Sequence, residues 1–196
     1  MAPEARREAI IAATLPLLLD QGPELSTREI AQAAGVAEGT IFRVFETKHD
    51  LIHATIGAAL APDAAIDCLA NLPAGQPLVD RVAAILELLR SEIHRTRSLF
   101  LHLARRDARD GRRPWPPFPP HDKKDHPNFD NRARLSAAVT AALEAYRDEL
   151  AVPTEVATKV LSALSFASLT LLEDEPLNQP TALAEVVLHG IAKGDS

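Results

Sequence analysis

Between Ser26 and Lys48 the chain reads STREIAQAAGVAEGTIFRVFETK, a run of hydrogen-bond donors set around apolar anchors. Hydroxyls at Thr27 and Thr40 can donate to phosphate oxygens, and Arg43 can reach a phosphate or a guanine edge. Arg28, beside Thr27 in the first turn of one helix, suits the same phosphate role. Gly39 would let a backbone come close to nucleic acid, and Phe42 would lie toward solvent or a groove. Glu38 has two readings: an acceptor for cytosine, or an acid that stabilises a helix N-terminus, with the second slightly ahead. Lys48 follows a helix cap at Thr47, where the helix dipole opposes a cation by about 0.3–1 kcal/mol. A phosphate would remove that penalty. The plain alternative is a solvated lysine screened by salt.

Those donors need two short helices that cross steeply at a tight turn, the helix-turn-helix arrangement. Ser26 with Glu29 three residues on has the capping-box pattern that opens the first of them. Gly35 suits the turn, since glycine takes a left-handed backbone without steric cost. Ile30 and Ala34 are expected to face inward, Ala31 to permit close approach, Val36 to plug the turn, and Ile41 and Val44 to anchor the second helix over Glu38–Val44. Thr47 and Asp50 repeat the box-like pattern at the next helix.

Helical spacing dominates elsewhere too. A first helix spans about Pro3–Asp20 with Ile11, Leu15, Leu18 and Leu19 on one face, and Pro16 should kink it. Pro62 and Pro73 break the stretch up to Gln76. From Pro77 to about Asp110, Leu78, Val82, Ile85, Leu89 and Ile93 recur at helical spacing. Residues 111–129 hold six prolines and predict an irregular link. Helices follow over about Asn131–Leu150, over Pro153–Glu173 with Val156, Val160, Ala163, Ala167 and Leu171 on one stripe, and over Pro180–Ala192 with Leu183, Val187 and Ile191 on one side. The expected fold class is all-α: residues 1–51 as a helix-turn-helix domain and 52–196 as a larger helical bundle.

The segment LSTREIAQAAGVAEGTIFRVFETKHDL, within about Arg6–Leu51, resembles the N-terminal domain of the TetR family of regulators. The likeness covers about a quarter of the chain. It implies a DNA contact set of Thr27, Arg28, Glu38, Gly39, Thr40, Phe42, Arg43 and Lys48 on double-stranded operator DNA. It further implies a homodimer joined through the last two helices, and a pocket after the fourth helix for a small, largely apolar effector. Candidate pocket residues are Leu86, Leu89, Ile93, Phe100, Leu103 and Phe166. Effector binding would release the DNA and derepress a gene. This chain departs from the family in having Phe42 where a tyrosine hydroxyl commonly meets a phosphate, and Ala37 where a serine often caps the recognition helix.

Composition sets the bounds. The net charge is −6, and residues 1–51 hold five basic against eight acidic side chains, so DNA binding would rest on a few placed donors. Eight arginines between Arg90 and Arg113 read as a solvated face, as a surface for an acidic effector, or as extra DNA contacts. No run of eighteen apolar residues predicts a membrane span, and an early charged N-terminus without a long apolar core argues against secretion. A single cysteine, Cys68, fits a reducing cytoplasm. No metal, cofactor or catalytic set is expected: His121 and His126 sit in the proline-rich stretch without fixed geometry, and Ser162, Ser165 and Ser168 suit close helix packing. The competing readings are a DNA-binding dimer without an effector and, remotely, a helical-bundle enzyme.

Overall fold

The computed structural model describes residues 2–109, 129–171 and 179–191, with side chains described within 2–103, 130–167 and 179–189. The protein is all-α: among the described residues the elements are α1 (Pro3–Gln21), α2 (Thr27–Ala34), α3 (Glu38–Val44), α4 (Lys48–Ala59), α5 (Asp63–Ala70), α6 (Leu78–Arg109), α7 (Phe129–Leu143), α8 (Thr154–Leu171) and α9 (Pro180–Ile191). The expected irregular stretch 111–129 lies outside the described residues, apart from Phe129, whose backbone opens α7. The described helices include none long and apolar enough to cross a membrane.

Two compact units are present. One comprises Met1–Ala61 with Thr96–Asn131, the other Pro62–Arg95 with Arg132–Ser196. In the first unit α1 packs on α2 and α4, and α2 packs on α3. Ile10, Ile11 and Leu18 of α1 meet Ile30, Ile41, Leu51 and Ile56 in one core. Leu15 and Leu19 are only half-buried. The helix α1 continues through Pro16, whose own position and that of Ala12, four residues back, are both exposed. Water can therefore take the carbonyl that the proline leaves unbonded.

The motif ends near Leu51, but its packing unit runs further. Leu103 of α6 is buried in the same core, with Leu99 and Phe100 against it. His102 Nε2 donates to the Leu19 carbonyl at 2.9 Å. That carbonyl would otherwise bond the amide of residue 23, which is a proline. Asn131 Nδ2 likewise donates to the Gly57 carbonyl at 2.7 Å, near the end of α4. Distant segments thus close helix ends that the local chain leaves open.

The second unit is a helical bundle. Val82, Ile85, Leu86 and Leu89 of α6 pack with Val139 and Leu143 of α7, Leu161 of α8, and Leu183, Ala184 and Val187 of α9. Three expectations change here. The broken stretch after Pro62 contains α5, with Asp63 in its first turn. The helix expected to reach Leu150 stops at Leu143 and tightens into a single 3₁₀ turn, Glu144–Tyr146. That turn sets Tyr146 on the core, where its hydroxyl donates to the Gln76 carbonyl at 2.7 Å and its ring carries the buried Arg81 guanidinium 5.3 Å from its centroid. Among the described side chains of α8 the buried ones are Thr154, Ala157, Thr158, Leu161 and Ser165. The apolar stripe read from spacing lies elsewhere on the helix, with Val156 and Ala163 exposed and Val160 and Ala167 half-buried. Ser162 and Ser165 each return their hydroxyl to a carbonyl four residues back, which keeps their surface small and satisfied.

Candidate nucleic-acid interface

The turn forms as its glycine requires. Gly35 takes φ 65° and ψ 33°, the left-handed region. Its N–H donates to the Gln32 carbonyl and that of Val36 to the Ala31 carbonyl, the paired bonds of a Schellman ending. Val36 is half-buried against the first core, as are Ala34 and Val44, while Ile30, Ala31 and Ile41 are buried. The anchors read from spacing are the ones that pack.

With Ile41 inward, α3 turns the remaining side chains out. Glu38, Gly39 and Arg43 are exposed, Thr40 is half-buried, and Phe42 is 51% exposed. A phenyl ring left half in water is not holding this fold together; it is available to an outside partner. Thr40 makes no side-chain hydrogen bond among the described residues. Gly39 has an ordinary backbone, and a Cβ there would meet nothing within 4 Å. Neither conformation nor internal packing demands a glycine at that position.

The starts of α2, α3 and α4 are drawn together by side chains. Ser26 caps α2, with its N–H and its hydroxyl donating to Glu29 Oε2 at 2.8 and 2.6 Å. Thr47 caps α4 in the same way through Asp50. Ala37, at the start of α3, makes no side-chain cap bond. Thr27 Oγ1 donates instead to Glu38 Oε1 at 2.5 Å, tying the first residue of α2 to the first of α3. Glu38 thus lies in the first turn of α3 with a partner that spacing did not suggest.

The hydrogen bonds from the Ser26 hydroxyl and N–H hold the Glu29 carboxyl below the ordinary glutamate range, and the Lys48 ammonium adds to this. Lys48 is half-buried in the first turn of α4. Its opposition to the helix dipole is therefore offset in part by an acid of this chain, before any phosphate arrives. Because the folded Glu29 binds its proton less readily than the unfolded, the capping box contributes fully above the unfolded glutamate range and is lost as pH falls through the folded value. The protection factors of the first-turn amides of α2 should fall on acidification through the lowered Glu29 range, and an E29Q chain should lack that pH step.

Residues 10–55 match the family model for bacterial regulatory proteins of the tetR family. The N-terminal domain belongs to the TetR family. Solved structures extend the likeness in fold along the chain. A protein assigned to the TetR family from Mesorhizobium loti has a TM-score of 0.60 at 15% identity, covering 98% of this chain and all of that one. GusR of Salmonella enterica has a TM-score of 0.55 at 18% identity, covering 96% of each. A protein assigned as a transcriptional regulator from Saccharomonospora viridis, in complex with choline, has a TM-score of 0.52 at 14% identity, covering 98% of this chain and all of that one. The matched segment is thus of the kind found in bacterial regulatory proteins, and the solved structures show the same fold along the rest of the chain.

Outside the TetR domain, the six residues suggested for an effector pocket fall in both units. Leu86 and Leu89 are buried in the core of the second unit, and Ile93 is half-buried. Leu103 and Phe100 belong to the core of the first unit. Phe166 is 61% exposed. Arg97 is exposed, and Arg95 pairs with Glu92 three residues before it. The side chains of Arg105, Arg109, His121 and His126 lie outside the described residues. The capping box of Ser26 and Glu29 was legible, but its nearness to Lys48 was not.

Proposed function

We propose that the protein is a dimeric repressor that reads a palindromic operator with α3, and that a small molecule releases it. The exposed face of α3, immediately after the left-handed Gly35 and within the TetR-matched segment, carries this reading. Arg43 supplies a guanine or phosphate contact, and Thr40 an uncommitted hydroxyl. Arg28 and Lys48 add cations at the starts of α2 and α4. Phe42 contributes an apolar surface, without the hydroxyl that a tyrosine would bring.

A symmetric site needs two readers one helical turn apart, so the second copy is part of the reading. Exposed apolar side chains on α8 (Val156 and Phe166) and α9 (Val186) support pairing through these helices. A cytoplasmic setting follows from a DNA target. The choline bound by the Saccharomonospora viridis protein supports a small-molecule role, and the second reading is a DNA-binding dimer without an effector. Ligand screening by thermal shift, followed by operator release, separates the two.

Selecting bound fragments from genomic DNA tests the main reading, with enrichment of one palindromic motif as the expected result. Recovery of no preferred sequence would overturn it. Gly39 offers a sharper check. In G39A the added methyl has open space and a permissive backbone, so the helix should gain about 0.5–1 kcal/mol. If the DNA backbone or a base edge approaches there, the same methyl should weaken operator binding by roughly tenfold. A chain with raised Tm and unchanged affinity would remove Gly39 from the contact set.

A further inference from the structure

Seven residues of helix are hard to hold at one angle. α3 buries one side chain, Ile41, and half-buries Val44 and Thr40. Its N-cap, Ala37, makes no side-chain bond. Val44 and the buried Phe45 that follows it hold the C-terminal end of the helix on the same core, and its first turn can still pivot about them. The second fixed point is the bond from Thr27 Oγ1 to Glu38 Oε1, between residues eleven apart in sequence. Ser26 and Thr47 donate their hydroxyls to acids of their own helices, so the Thr27 bond differs in crossing from one helix to the next.

We propose that this bond is an interhelical clamp that sets the entry angle of α3, and that Glu38 is a positioning residue for sequence reading. The chemistry separates this from both roles that spacing allows. A threonine hydroxyl has one proton to give. While Thr27 donates to Glu38 it cannot also donate to a phosphate, and the carboxylate oxygen that accepts this hydrogen bond is held back toward α2. The acid also sits at the start of α3, where the helix dipole favours its charge. Phosphate contact then falls to Thr40, Arg28, Arg43 and Lys48.

The inference rests on the DNA-binding reading, and the experiment distinguishes the two. Affinities of the full-length chain for its selected operator and for a scrambled duplex are measured across a salt series for wild type, T27V, T27S, E38A, E38Q and the T27V/E38A double variant. A clamp predicts that T27V and E38A each lower the ratio of operator to scrambled affinity by about tenfold, and that the double variant loses no more than either alone. T27S keeps the hydroxyl and E38Q keeps an acceptor oxygen, so both should stay within about threefold of wild type. The proposal is overturned if E38A relaxes preference at one base pair while T27V leaves the ratio unchanged, because Glu38 would then be reading that base. It is equally overturned if T27V weakens both duplexes alike, flattens the salt dependence and adds to E38A, because Thr27 would then be a phosphate donor. Unchanged ratios in both variants also overturn it. A wild-type chain that selects no DNA fails the functional reading first, before any substitution is compared.

Discussion

Replacing Arg43 and Lys48 together by alanine should lower operator affinity by roughly 100-fold while leaving the fold intact. Each positioned cation contributes about 1–3 kcal/mol to a base or phosphate contact. Arg43 is exposed in the last turn of α3, and Lys48 lies in the first turn of α4. Neither belongs to the cores of the molecule. The two single variants should differ in kind. Arg43→Ala should relax base preference if its guanidinium bridges a guanine, whereas Lys48→Ala should weaken all sequences alike and reduce the salt slope by about 1. Lys48→Ala has a second effect, because it leaves the Glu29 carboxylate facing an incoming phosphate without its neighbouring ammonium. Titration of a labelled operator at three salt concentrations checks this, and undiminished affinity in both single variants would remove the assignment of this face.

Ile41→Ala should cost about 2–5 kcal/mol of stability and abolish operator binding. Ile41 is fully buried and joins the core formed with Ile10, Ile30 and Leu51. The loss is a large share of the about 5–15 kcal/mol that holds a typical domain folded. It also removes the one buried anchor of α3, so the reading helix should detach before the rest of the unit melts. Ile41→Val removes one methylene, costs about 0.5–1.5 kcal/mol, and should retain binding. Thermal melts followed by operator titration test the pair. Equal binding by Ile41→Ala and wild type would mean that α3 is held by something other than this packing.

The helix-turn-helix and α8 place different demands on the same kind of pattern. In the turn motif, spacing predicted burial correctly because Ile30, Ile41 and Gly35 act within a short span, where helix period and turn chemistry leave one solution. On α8 spacing found an apolar stripe but not the face that packs within the chain, since Val156 and Ala163 are exposed while Ala157 and Leu161 are buried. A helix with apolar residues on two sides does not say which side meets its own bundle and which is left for a partner.

What the residues determined unaided was local: the helical class, both capping boxes, the left-handed turn, and the outward set from Glu38 to Arg43. Each follows from backbone preference and a period of 3.6 within a few turns. What only tertiary structure decided were contacts between distant or differently oriented segments. These are the bond from Thr27 to Glu38, the nearness of Lys48 to Glu29, and the closure of the Leu19 carbonyl by His102. They depend on how helices are placed against one another by the buried core, which no spacing along one helix encodes.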